Sequence, residues 1–285
     1  MKKFKEKAMS GVFFLTALVS IIAVILICVF LFSNGIPAIA KIGPLKFLFG
    51  TEWRPQNDIY GILPMIVGSV YVTAGALIIG VPIGILTAVF MSFFCPKPIY
   101  KILKPAVNLM AGIPSVVYGF FGLVVLVPFI RDYIGGRGRG MSVLTASILL
   151  GLMILPTIIS VSESNLRAVP KSYYEGGLAL GATHERSVFC TVLPAAKSGI
   201  FAGVVLGVGR AIGETMAVMM VAGNQPVIPG SLLDGVRTLT TNIVLEMGYS
   251  TDLHREALIA TAVVLFVFIL IINLSFSLIK RRSKV

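Results

Sequence analysis

Residues 62–91 read ILPMIVGSVYVTAGALIIGVPIGILTAVFM, an apolar run without one charged side chain. About 20 helical residues cross the ~30 Å hydrocarbon core of a bilayer. In lipid every backbone N–H and C=O must be bonded within the chain, so a run of this length reads as a membrane-spanning helix. Gly80, Pro82 and Gly84 predict a kink or tilt within it. To either side lie five more apolar runs, at Gly11–Ser33, Ala106–Ile130, Ser142–Val161, Gly199–Ala222 and Ala257–Ile279. The expected fold class is all-α and integral to the membrane, with six transmembrane helices. Residues 1–61 form an N-terminal anchor helix and a first outer loop. Residues 62–285 form the transmembrane domain proper, with a patterned inner loop at 162–198.

Composition points the same way. Only 13% of the 285 residues are charged and mean hydropathy is +0.95, whereas a soluble domain carries about 25% charged residues. A water-soluble enzyme, a disordered chain and a disulfide scaffold are all excluded, the last because there are three cysteines in the whole chain. The net charge of +12 sits at the ends of apolar runs, which suits a lipid bilayer rather than nucleic acid. Lys2, Lys3, Lys5 and Lys7 precede the first run, but that run is too long for a signal peptide and no small-x-small cleavage site closes it, so an uncleaved anchor is expected. With both termini in the cytoplasm, inner segments hold 15 of the 24 Lys and Arg, among them Lys284. Outer loops hold eight, among them Arg137, and Arg210 lies inside a span. That distribution obeys the positive-inside rule. Cys28 then falls in a span and Cys95 and Cys190 on the reducing side, implying no disulfide.

Arg210 and Glu214 stand near the middle of the fifth run. A charge at mid-bilayer costs about 2.5–3.5 kcal/mol on insertion scales, so both should face a bundle interior or a wet cavity. Four residues apart on a helix, they share one face. One reading is a structural ion pair. A second is a solute path, in which the arginine fork binds an oxyanion. The carboxylate would accept the P–OH of hydrogen phosphate, which sulfate lacks. A third is a gate latch.

The loop from Ser162 to Ser198 has its own order. Ser172 followed by Glu175 has capping-box spacing, predicting a helix over 173–180. Gly181 suits the left-handed residue that ends it. Thr183 caps a second helix with Glu185 in its first turn, and Pro194 ends the pattern.

Glu175-Gly176-Gly177, three residues, Gly181, nine residues and Thr191-Val192-Leu193-Pro194 resembles the EAA loop of the membrane subunits of ABC importers, with glycines for its two alanines and Thr191 for its isoleucine. The resemblance implies that Ser172, Glu175, Gly176, Gly177, Gly181, Leu193 and Pro194 belong to a coupling helix that sits in a groove of an ATPase subunit. Residues 209–218, GRAIGETMAV, resemble the signature of phosphate-specific importer permeases, and so do 111–119, AGIPSVVYG, and 49–55, FGTEWRP. Glu214-Thr215-Met216-Ala217-Val218 followed by Gly223-Asn224 is closer to the PstC-type subunit than to its PstA-type sister. The resemblance implies the permease fold of type I ABC importers, called MetI-like, and phosphate as solute. It also implies four partners: a PstA-type permease, two ATP-binding subunits and an extracytoplasmic phosphate-binding protein. In that family an Arg and a Glu at the positions of Arg210 and Glu214 are needed for transport.

Ser115 and Tyr118 are candidates for hydroxyl donors along the path, or for bonds between helices. Trp53, the single tryptophan, reads as an interfacial anchor, and the stretch 49–55 as a weaker candidate for docking the binding protein. Gly203, Gly207 and Gly213 read as close-packing positions. His184 and His254 fall in loops, and no zinc-binding spacing, phosphate-binding lysine loop or intramembrane histidine base occurs. Hence no cofactor, no metal and no enzyme chemistry are expected, and any ATP site belongs to another chain. Two rivals remain: an ion-coupled secondary transporter of an oxyanion, and a non-transporting membrane protein that recruits a partner through the 162–198 loop.

Overall fold

The computed structural model describes residues 2–135 and 139–282; Arg137 and Lys284 lie outside the described residues. In chain order the helices are α1 (Lys2–Ile42), α2 (Pro44–Phe49), α3 (Leu63–Val89), α4 (Lys97–Gly112), α5 (Ser115–Phe121), α6 (Val127–Ile130), α7 (Val143–Ala168), α8 (Lys171–Ala179), α9 (His184–Ser187), α10 (Leu193–Gly213), α11 (Met216–Val221), α12 (Leu239–Met247) and α13 (Asp252–Arg282). Strands β1 (Trp53–Arg54) and β2 (Ile59–Tyr60) pair antiparallel in a small hairpin, Trp53 opposite Tyr60. Among the described residues, six stretches are long and apolar enough to cross a membrane: Met9–Ile42, Leu63–Phe94, Ser115–Gly135, Val143–Ala168, His184–Gly213 and Asp252–Phe276.

The bundle is organised around α7. Two thirds of its most apolar window is buried (67%), against 28% for α3, so α7 is the central post and the other spans surround it. Ser142 starts α7 by accepting the Thr145 N–H, and the helix buries Leu149, Leu150, Met153, Ile154 and Ile158 almost completely. Lipid is as apolar as leucine, so helices associate here through close packing rather than through escape from water. Gly80 and Gly84 of α3 supply it: a Cβ at either would lie 2.8 Å from Ile154 or Ile158. The glycines expected to bend this span let α3 lie against α7. On another side of α7, Gly203 and Gly207 of α10 meet Val161 and Ile158 in the same way. Gly213 does not; no atom lies within 4 Å of where its Cβ would be.

α1 packs on α13 mainly through its later turns, where Gly35 meets Val263 and Ala260 and Phe32 meets Phe266 edge to face. Its earlier residues from Met9 are exposed, as a lipid-facing helix requires.

Five expectations are corrected. The third run does not start a helix at Ala106. α4 begins at Lys97 and runs beside α7, with Val107 in one cluster with Leu155 and Ile159. The chain then breaks at Ile113, which is held extended (ψ 126°) by the proline that follows it, and resumes as α5. The fifth run is likewise not one helix: α10 stops at Gly213, Glu214 is extended (ψ 130°), and α11 starts at Met216. Pro194 does not end a pattern. It occupies the first turn of α10, where its missing N–H costs nothing, and a π-helical turn at Val188–Val192 joins α9 to α10. Trp53 is not at an interface but buried, its indole N–H donating to Glu246 Oε2 at 2.8 Å. Neither histidine is in a loop: His184 starts α9 and His254 lies in the first turn of α13.

Candidate functional site

Depth can be read from α7, whose midpoint is near Leu155. Met110 and Gly112 end α4 just beyond that level, and Tyr118 of α5 donates its hydroxyl to the Met110 carbonyl at 3.0 Å. The Met110 carbonyl also accepts the Ile113 N–H at 3.4 Å, so the hydroxyl is a second donor at the end of α4. On the other broken span, Arg210 Nη1 lies 3.5 Å from Thr157 Oγ1 of α7, again at mid-height. The segments beyond the two breaks touch each other: a Cβ on Gly119 would sit 2.7 Å from Met220 Sδ and 3.0 Å from Ala217 Cα. Two interrupted helices therefore lie side by side, each broken near the middle of the bundle. Irregular backbone at membrane depth is tolerated where it is buried in protein or lines a water-filled cavity.

The shared-face reading of Arg210 and Glu214 is corrected by this geometry. The break at Glu214 takes its side chain off the face of α10, and among the described residues no ion pair joins the two. Glu214 Oε1 accepts the Ala217 N–H at 3.1 Å, which places its charge at the positive end of α11. Its carbonyl accepts from Thr240 Oγ1 of α12 at 3.0 Å. Behind it lies a void of about 10 Å³ lined by Ser69, Thr73 and Thr238, enough for about one water. Arg210 and Glu214 are both half-buried, and Ala111, Gly112, Gly213 and Met216 around the breaks are exposed. Ser115, half-buried, opens α5. Tyr118 is the one fully buried residue of the four path candidates, and its hydroxyl is engaged with α4.

At the end of α7 farthest from the hairpin, α8 and α9 form the expected helix–glycine–helix. Gly181 has φ +83°, and Thr183 caps α9 by accepting the Arg186 N–H at 3.3 Å. The capping box is corrected: α8 starts at Lys171 behind Pro170, so Ser172 lies inside the first turn and caps nothing. Gly177 explains one departure from the EAA pattern, since an alanine Cβ there would lie 2.6 Å from Ser187 Oγ. Nothing in the structure explains Gly176. Tyr174 bonds His184 Nδ1 at 2.7 Å and stacks on Phe93, which locks α8 to α9 and to the π-helical turn (Phe90–Phe94) that follows α3. Leu193 packs with Val188 and Val192 beneath, while Pro194 is exposed. Glu175, Tyr173, Leu178 and Leu180 are exposed, giving α8 an uncovered mixed face.

Two further carboxylates are buried, and no sequence motif marks them. Glu163 (2% exposed) accepts from Tyr100, Lys104 and Arg167. Glu246 (6% exposed) accepts from Trp53, Arg237 and His254. Beside the second, burial and the Asp58 hydrogen bond push the Tyr60 hydroxyl up to about 12, so it remains a donor at any physiological pH. A signal was available for Glu163, which has Arg167 four residues on. Glu246 had none short of the fold, because its partners come from three distant segments.

Six candidate spans, two interrupted helices and an exposed short helix at one end form the architecture that a membrane permease would need. Residues 80–285 match the family described as binding-protein-dependent transport system inner membrane component, and the chain belongs to that family. It is 42% identical to the probable ABC transporter permease protein YqgH of Bacillus subtilis, over 90% of this chain and 86% of the relative. It is 34% identical to the phosphate transport system permease protein PstC of Mesorhizobium japonicum, over 86% and 81%. Among solved structures it is similar in fold to the MetNI methionine ABC transporter, with TM-score 0.64 and 20% identity over 81% of this chain and 99% of that one. A bacterial alginate ABC transporter in complex with its periplasmic protein gives TM-score 0.66 and 17% identity, over 94% of each chain. The chain is thus an ABC importer permease subunit of the multi-pass, MetI-like kind, with PstC-type permeases among its relatives.

Proposed function

We propose that this subunit carries inorganic phosphate across the cytoplasmic membrane, both termini cytoplasmic, as one half of a pore completed by a PstA-type permease. One of two ATP-binding subunits seats on α8, the other on the partner permease, and a phosphate-binding protein delivers solute at the hairpin end. The observation that carries this reading is Arg210, a half-buried guanidinium at mid-height between two broken spans, in a chain whose curated relatives include PstC permeases. Its fork offers paired donors to an oxyanion. Glu214 keeps one carboxylate oxygen on α11 and has lone pairs left to accept the P–OH of hydrogen phosphate. Uncovered glycines at the breaks leave room for a hydrated ion.

Closure of the ATPase dimer moves α8, and α8 moves the breaks. The ATPase state shifts the pore only through contacts that differ between its two states, and those contacts fall on Glu175 and the exposed side chains around it. The test is ATP-driven uptake of radiolabelled phosphate by the reconstituted complex. Arg210→Gln and Glu214→Gln each lower uptake at least tenfold with the complex intact, and vanadate abolishes it in the wild type. Uptake driven by an ion gradient without ATP supports the secondary-transporter reading instead. Gly181→Val, strained at φ +83°, releases the ATP-binding subunits during purification while the permease stays in the membrane; retention of those subunits counts against the coupling role of α8.

A further inference from the structure

Glu163 is a buried charge that the path does not use. It lies on α7 one turn and a half before the end that carries α8, and it is 2% exposed. Two of its three donors come from α4: Tyr100 Oη at 2.7 Å and Lys104 Nζ at 2.7 Å. The third, Arg167 Nε at 3.0 Å, is one turn on along α7. Arg167 also reaches sideways. Its Nη2 donates to the Met91 carbonyl in the turn after α3 at 3.0 Å, and its guanidinium lies 4.7 Å from the centre of the Tyr100 ring. Beyond it, Arg167 lines a cavity of about 480 Å³ together with Lys171, Tyr174 and Glu175 of α8.

Glu163 thus ties α4 to α7, and Arg167 extends the tie to the turn after α3, beside α8. The consequence lies at the other end of α4. That helix is 16 residues long, roughly 24 Å at 1.5 Å per residue, and it terminates at Gly112 in the break. A buried carboxylate released from its donors is strongly unfavourable, so α4 cannot slide on α7 at this point, and displacement of the α8 end is carried along α4 to the break. We propose that Glu163 is a positioning residue of the transport cycle: the joint that couples the α8 end to the broken third span. This rests on the transport reading above, and it adds a residue and a route that the path itself does not require.

The experiment uses the complete reconstituted complex with two readouts. The first is phosphate imported per ATP hydrolysed. Glu163→Gln is expected to keep hydrolysis within about twofold of wild type while this ratio falls at least tenfold. Lys104→Met lowers the ratio several-fold and Lys104→Arg restores it. The second readout needs no particular solute. Gly112→Cys, in a background lacking Cys28, Cys95 and Cys190, is labelled with a water-soluble maleimide with and without vanadate trapping; Gly112 has no atom within 4 Å of its Cβ position, so the cysteine fits. Trapping changes the labelling rate in the wild-type background and leaves it unchanged with Glu163→Gln. A preserved ratio and a preserved trapping effect in that variant overturn the joint. Where Glu163→Gln is not recovered assembled, Tyr100→Phe decides: a two- to threefold fall in the ratio supports the joint and no fall overturns it. A wild-type complex that imports no phosphate strikes the transport reading alone, because the labelling test still stands.

Discussion

The two ends of the bundle solve one problem in opposite ways. Each holds a buried glutamate bonded by three donors, Glu163 near α8 and Glu246 near the hairpin. At the hairpin end the donors come from three segments, Trp53 in β1, Arg237 before α12 and His254 in α13. The Arg237 and His254 side chains there are themselves almost covered, at 14% and 15% exposed. At the α8 end, Lys104 and Arg167 are 32% and 47% exposed, and both α4 donors sit on a helix that ends in a break. The hairpin end is a sealed anchor that fixes loop, hairpin and last span together. The α8 end is a wet joint, held by charge but open to water where a partner would press on it.

The comparison breaks most readily at Glu246. Glu246→Gln leaves Arg237 without its anion in a covered site, and removing one partner of a buried pair costs about 3–5 kcal/mol. Thermal unfolding of the purified subunit in detergent should show a larger loss than Glu163→Gln, whose cations can turn to water. Equal losses would mean the two ends are built alike. Next, Trp53→Phe keeps an aromatic ring but removes the indole donor; Glu246 Oε2 retains His254, so the loss is that of one hydrogen bond to a charged group, about 1.5–3 kcal/mol, with phosphate uptake near wild type in what still folds. A selective uptake defect with unchanged melting would move Trp53 from anchor to function. The smallest effect is at α8. Gly176→Ala gains about 1 kcal/mol of helix propensity in open space, raising ATPase co-purification slightly; a loss would show that the partner requires a glycine surface there.

What could be read from the chain follows from the same contrast. Hydropathy counts residues, so six spans were legible, as were the positive-φ turn at Gly181 and the cap at Thr183. The interruptions were not, because Ile113-Pro114 and Glu214-Thr215 lie inside runs that remain apolar on average. With Glu214 extended, Arg210 and Glu214 no longer share a helix face. Ser172 carried a capping pattern, but Pro170 starts α8 and leaves it inside the first turn. Trp53 looked interfacial because a tryptophan in a polar loop usually is; its partner Glu246 is 193 positions away, and no local pattern reports such a distance.

On the proposed function, water and phosphate reach the interrupted spans at mid-membrane. Gly213→Cys, placed in the complete complex lacking its other cysteines, tests it directly, since Gly213 is exposed and has no neighbour at its Cβ position. The account predicts labelling by a membrane-impermeant maleimide in at least one nucleotide state, slowed by phosphate-loaded binding protein and restored when Arg210 is replaced by glutamine. Absence of labelling in every state, with the same reagent modifying a cysteine in α8, would contradict it.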